Sequence, residues 1–340
     1  MRISPLSGWL ATGLLVIGMT LAGPAVAKTF KIATVSPDGL AWMKQLRAGA
    51  KDIEARTEGR VKFKIYPGGV QGDDFTVLRK MRIGQLHGGM VASSSLTRFY
   101  PDLQIYSMPL QFRDNDEVDF VRERMDSGIQ QGLRDNGLET FHLTETGFAY
   151  MLSQTPVTTL SEMQGLKVWV PDGDPIAARI IKSFGVSPIP LYLTDVLAGL
   201  QTGLIDAVAV PPLVALALQW HNHVSHMTDL PLMYTYSMLA LDKKAFASMS
   251  EGDQAIVHEV MDAVFIKIDA ANRADNEKAY TALLSQDIER VQPDLSGLDS
   301  WRAQADETIE DLVSSDELSQ QSVDTLRKNL SEFRANGAGQ

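Results

Sequence analysis

The 340-residue sequence contains no cysteine. That excludes disulfides, thiolate metal sites and lipid attachment to a cysteine after export. The short signatures of several enzyme classes are also missing. There is no G-x-S-x-G elbow, no G-x-x-x-x-G-K phosphate loop, no G-x-G-x-x-G dinucleotide turn and no H-E-x-x-H zinc helix. Positive charge is scarce: 31 Lys and Arg stand against 42 Asp and Glu, for a net charge of −11. Binding to a phosphate backbone depends on clustered Lys and Arg, so a nucleic-acid partner is not expected. Neither metal nor cofactor is called for by any of these patterns.

Long apolar runs are missing too, except at the start. Arg2 supplies a positive charge, residues 9–23 carry none, and Ala25-Val26-Ala27 has the small-x-small form of a signal-peptidase site. These features predict a secretory signal peptide over residues 1–27, cleaved after Ala27, and export to the periplasm. The apolar run is shorter than the roughly 20 residues a spanning helix needs. Removing the first 27 of 340 residues leaves 313, and loss of Arg2 moves the charge from −11 to −12. That length suits two domains of roughly 150 residues each.

Hydrophobic periodicity gives the organisation. A strand begins at residues 30–35. A helix follows, with Leu40, Met43, Leu46, Ala50 and Ile53 three or four apart. Val61, Phe63 and Ile65 alternate with polar neighbours in a half-buried strand, ended by Pro67-Gly68-Gly69. A helix over 74–86 and a strand over 89–93 complete an α/β layer. The pattern restarts after Thr155-Pro156, with strands at 167–170, 186–191 and 206–210. A helix spans 175–184, and another, capped by Thr194, runs to Gln201. Ser250 and Asp253 form a capping box, and residues 253–292 contain neither Gly nor Pro. A continuous helix of that length would measure about 60 Å, so it must kink, break or run across both domains.

Few residues suggest chemistry. His221, His223 and His226 offer three imidazoles, but neither a strand nor a helix brings all three to one face; a zinc-dependent enzyme is the remote alternative. Asp172 and Asp174 flank Gly173 and read as an Asp-Gly turn with Asp174 capping the next helix. Asp73-Asp74 reads the same way.

Five stretches in order carry a resemblance: "EARTEGRVKFKIYPGGVQGDD", "LRKMRIGQLHGGMVASSSL", "YSMPLQFRD", "TPVTTLSEMQGLKVWVP" and "ALQTGLIDAVAVPP". Together they resemble the solute-binding proteins of TRAP transporters, the DctP family, over nearly all of residues 29–335. The resemblance implies an α/β, two-domain periplasmic-binding-protein fold with crossing strands and a long interdomain helix. Domain I is expected at residues 28–147 plus 236–272, domain II at 148–235 plus 273–340, with the helix at about 253–292 spanning both. It implies a non-enzymatic protein that captures a small molecule in the cleft and passes it to membrane permease subunits.

In most of that family an arginine after "GLK" grips a ligand carboxylate, often with a second arginine after "GF" and an asparagine near the "QTG..D" strand. A planar guanidinium fork suits that task. At the matching positions this sequence has Trp169, Ala149 and Val210. A buried carboxylate without a partner costs several kcal/mol. The three apolar replacements therefore predict a hydrophobic or amphipathic ligand. The sequence is similar in this respect to a TRAP subgroup that works with a tetratricopeptide-repeat periplasmic protein. The alternative is an organic acid held by a relocated cation such as Arg79, Arg98 or Arg179. Further ligand-contact candidates are Trp42, Ser93, Ser94, Gln71, Asp73 and Pro211, with Trp220 and Tyr236 expected on the second domain's side. Phe148 and Tyr150 flank Ala149 and are expected to face away from it.

Overall fold

The computed structural model describes residues 27–294 and 296–337; residues 1–26 of the expected leader lie outside them. Strands β1 (Lys28–Ala33) and β2 (Val61–Tyr66) run parallel, Phe30 beside Phe63, with the crossover helix α1 (Ala41–Arg56) burying Met43, Leu46, Ala50 and Ile53. Helix α2 (Asp74–Arg82) starts where Asp73 accepts a hydrogen bond from the Thr76 N–H, and leads to β3 (Gly88–Ala92). Helix α3 (Asn115–Asp135) and β4 (Leu138–Thr140) close the first half, and β5 (Thr144–Ser153) leaves it.

The second half repeats the order with α4 (Leu160–Gln164), β6 (Lys167–Pro171), α5 (Pro175–Ser183), β7 (Ser187–Leu191), α6 (Val196–Thr202), β8 (Ala207–Val210), α7 (Pro212–Ala217) and β9 (His226–Thr228). Strand β10 (Met233–Asp242) then returns to the first half. It is followed by α8 (Lys243–Phe246), α9 (Glu251–Leu284), β11 (Glu289–Val291), α10 (Leu298–Ser314) and α11 (Gln320–Gly337). The strand order is β2-β1-β3-β10-β5-β8-β6-β7. Residues 144–149 of β5 pair with β10, and residues 150–153 pair with β8, so one strand stitches the two halves together.

Three local expectations change. The long helix stops at Leu284, because Asp287 takes φ +60° and Glu289–Val291 join β9 as a parallel strand. At its start Ser250 caps the Asp253 N–H at 3.1 Å, but Asp253 does not reach back; its carboxylate pairs with Arg60 at 2.9 Å. Thr194 does not cap α6: it lies in a short 3-10 turn, and its hydroxyl meets the Asp195 side chain.

Helix α9, at 34 residues about 51 Å long, runs along both halves. About three quarters of the way along it, Asn276 donates to the Thr146 carbonyl at 2.7 Å and accepts from the Leu213 N–H at 3.2 Å, tying α9 to β5 and α7. Gly147 sits under it at φ +115°, where a Cβ would lie 2.6 Å from the Asn276 amide. Gly147→Ala should therefore cost about 2 kcal/mol in urea unfolding, from left-handed backbone strain and the lost close approach. A loss below about 0.5 kcal/mol would show that this approach is not needed.

Nearby, Arg122 is buried and satisfies four groups at once. It bonds Asp126 at 3.1 Å, Asp269 of α9 at 3.1 Å, the Tyr234 hydroxyl at 3.0 Å and the Leu143 carbonyl at 2.6 Å. Burial alone would raise the Asp269 carboxyl, but the His142 hydrogen bond and the Arg122 charge hold it below its ordinary value.

His258 of α9 lies between Asp262, at 3.8 Å, and Glu139, at 3.2 Å, and these two carboxylates push it up to about 9. A raised imidazole stabilises the fold fully below its unfolded value, near 6.5, and that contribution is lost as pH rises through 9. After solvent screening it is worth about 1–2 kcal/mol. His258→Gln should lower stability at pH 6 and leave it nearly unchanged at pH 10; equal losses at both would contradict the pairing.

Candidate ligand-binding cleft

The carboxyl ends of β3, β6 and β8 face one another across the two halves, where open α/β sheets place ligand-binding groups. A cavity of about 490 Å³ lies between them. Its first-half wall includes Trp42 of α1, Phe75 of α2, and Ser93 and Ser94 just after β3; its second-half wall includes Trp169 and Val210-Pro211.

Trp169 is placed by β6, where it stands beside Ile189 of β7. Its only polar group is already engaged: the indole N–H donates to the Leu191 carbonyl at 3.0 Å. Trp220, 1% exposed, packs edge-on against it with ring centroids 5.3 Å apart. The indole therefore presents an immobilised apolar face. Val210 continues the wall from the end of β8, and Pro211 opens the next turn.

At the mouth the halves touch. Phe75 lies 3.2 Å from where a Gly173 Cβ would stand, and Ser94 of the first half and Asp174 of the second both face the cavity. Gly173 has φ +84°, and Asp174 caps α5 by accepting from the Ala177 N–H at 2.9 Å, so the Asp-Gly turn forms as expected. Burial pushes the Asp174 carboxyl up.

Charge in the cavity has one sign. Among the described residues no Arg, Lys or His lines it, whereas Asp73, Asp74, Asp172, Asp174 and Asp275 all do. The three cations considered as relocated anchors are elsewhere. Arg79 donates to Thr76 at 2.7 Å, Arg98 sits over the Phe75 ring at 5.3 Å, and Arg179 pairs with Glu317 at 2.7 Å.

Of the sequence candidates, Trp42, Asp73, Ser93, Ser94, Trp169, Val210, Pro211 and Tyr236 contribute surface to the cavity. Ala149, Gln71 and Trp220 do not. Ala149 is wholly buried in β5, with its carbonyl bonded to Leu232, and Gln71 turns away to bind Lys80 at 3.0 Å. Trp220 backs Trp169 instead of forming the surface. Tyr236 lies in β10 on the first half's side, not the second's, its hydroxyl donating to the Leu103 carbonyl. Phe148 and Tyr150 line a separate hollow beside Arg273 and Arg290. Sequence reasoning missed Phe75, Asp74 and Tyr192. Asp74 was read only as the start of a helix, and nothing local marks Phe75 or Tyr192 as facing a cleft.

The histidine run does not assemble. His221 meets the Ala215 carbonyl at 3.2 Å, His223 the Gln201 amide at 3.3 Å, and His226 the Ser225 hydroxyl at 2.9 Å. Among the described residues no group of three His, Asp or Glu is placed to hold a metal ion, which removes the zinc alternative.

A cleft between two α/β halves, stitched by crossing strands and backed by one long helix, defines a solute-binding protein. The chain belongs to the DctP family, bacterial extracellular solute-binding protein family 7, whose model matches residues 32–316. The family comprises periplasmic TRAP solute-binding proteins, which bind small molecules and work with membrane permeases; the chain is not an enzyme. It is similar to the sialic acid-binding periplasmic protein SiaP of Vibrio cholerae, 21% identical over 82% of this chain and 88% of that one. It is also similar to the 2,3-diketo-L-gulonate-binding periplasmic protein YiaO of Escherichia coli, 25% identical over 62% of this chain and 65% of that one. In structure it is similar to a sugar acid binding protein of Advenella mimigardefordensis solved with galactonate. That match has a TM-score of 0.82 at 17% identity and covers 90% of this chain and 99% of that one. Among the described residues no helix is long and apolar enough to cross a membrane.

Proposed function

We propose that this protein captures a hydrophobic or amphipathic small molecule in the cleft and delivers it to TRAP permease subunits. One observation carries the reading: a cavity lined by Trp42, Phe75, Trp169 and Val210 has no cation on its described walls. The relatives named above bind acids, and an acid needs a partner when buried. Placing a carboxylate among five aspartates without one would cost several kcal/mol. Burying about 300 Å² of apolar ligand would instead yield roughly 7 kcal/mol, against association costs of at least about 4. Trp42, Ser93, Ser94, Asp73, Trp169, Val210, Pro211 and Tyr236 are proposed as contacts, with Trp220 acting only from behind Trp169. The proposal also takes residues 28–147 plus 236–272 and 148–235 plus 273–340 as the two closing bodies, cleavage after Ala27 as the maturation step, and a tetratricopeptide-repeat protein as a further periplasmic partner.

The test is titration with N-phenyl-1-naphthylamine, an uncharged apolar fluorophore. Saturable binding to one site, with quenching of tryptophan emission and no displacement by galactonate or succinate, is the expected result. Thermal stabilisation by those acids, with no probe binding, would overturn the reading.

A further inference from the structure

The five aspartates on the cavity wall are not equivalent. Asp73 accepts from the Thr76 N–H at 2.8 Å and Asp174 from the Ala177 N–H at 2.9 Å, each capping a helix. Asp172 stands near Tyr192, whose hydroxyl its charge pushes up, and Asp275 pairs with Lys278 at 3.1 Å. Asp74 differs. Its Oδ2 accepts from the Ala92 N–H at 2.9 Å, but its Oδ1 is buried and no protein group donates to it. An acceptor in that state costs free energy unless something completes it. The net charge of the surrounding wall favours positive charge, because every charged side chain on it is a carboxylate.

We propose that the ligand is an apolar molecule with a cationic nitrogen head, of the alkylammonium class, and that Asp74 Oδ1 receives its N–H. The inference rests on the apolar-ligand reading above and adds the polarity of the head. An ammonium supplies the missing donor and offsets the repulsion among neighbouring carboxylates, whereas a hydroxyl supplies only the donor and a carboxylate supplies neither. Charge-assisted hydrogen bonds are about twice as strong as neutral ones, so the head should be read out as a clear difference in affinity. The apolar body would lie towards Trp169, whose indole N–H is already engaged and so cannot compete for the head. Burial, together with the charge of Asp73, pushes the Asp74 carboxyl up to about 7. The comparison is therefore made above that value.

The test is calorimetric titration at about pH 8 with decylamine, decanol and decanoic acid, which share one chain and differ in the head. Decylammonium is expected to bind at least about tenfold more tightly than decanol, with decanoate weakest. Asp74→Asn should reduce the decylammonium-over-decanol preference, taken as the ratio of the two affinities on the same variant, to less than about twofold, with an unchanged far-UV circular dichroism spectrum showing that the variant is folded. Decanoate binding as tightly as decylammonium, or an Asp74→Asn variant that keeps the preference, would overturn the inference and leave the apolar reading standing. If none of the three binds, the apolar reading itself fails.

Discussion

Trp169→Arg is expected to weaken binding of an uncharged apolar ligand about a hundredfold while leaving the fold in place. The indole contributes one rigid face of the cavity, held by its hydrogen bond to Leu191 and by Trp220 behind it. Losing about 80 Å² of apolar contact at roughly 25 cal/mol per Å² removes about 2 kcal/mol. Confining a guanidinium beside the ligand adds at least about 1 kcal/mol of desolvation, for about a hundredfold in total. Trp169→Phe keeps a ring and should cost less than about fivefold. The probe titration above reads both variants. If arginine at this position leaves apolar affinity intact, the cleft wall is not where the ligand sits.

The second large effect is on stability. Arg122→Ala should cost about 3–5 kcal/mol, because it takes the guanidinium charge from the partly buried Asp126 and Asp269 and its N–H donors from the Leu143 carbonyl and the Tyr234 hydroxyl. Urea unfolding gives the loss directly, and Arg122→Lys should recover part of it, since an ammonium keeps the charge but not the fork. A loss below about 1 kcal/mol would mean that this network does not hold α3, β5 and α9 together. Because Asp269 lies on the shared helix, the same variant tests whether the long helix is anchored at the crossing strands.

The elements were largely legible in the sequence because their signals are local. Met43, Leu46, Ala50 and Ile53 repeat at helical spacing and are all buried on α1; Val61, Phe63 and Ile65 alternate along β2. Helix caps at Asp73, Asp174 and Ser250 were readable for the same reason. The end of the long helix was not. Nothing in residues 285–292 breaks a helix by composition; the break comes from β9, whose edge takes Glu289–Val291 as a partner. Tertiary pairing overrode propensity there.

The cleft was legible at Trp169 and Val210 through the family resemblance, and at Ser93 because a strand end dictated it. It was illegible where the choice between wall and core depended on a neighbour. Trp220 and Ala149 are apolar residues in the right region that lie one layer too deep. Phe75 follows two aspartates at a helix start and carries no sign that it will close against Gly173 from the other half. The absence of cations from the described cavity wall was only partly visible. Three replaced positions hinted at it, but 31 Lys and Arg remain in the chain, and only the fold shows that Arg79, Arg98 and Arg179 engage other partners.

The central claim is that this member of a family with acid-binding relatives has a cleft built for an apolar body. The most direct measurement is native mass spectrometry of protein purified from its own periplasm, followed by organic extraction of whatever is bound. An apolar-bodied or long-chain species, released on denaturation, is the predicted result. A small dicarboxylate or a sugar acid would contradict it.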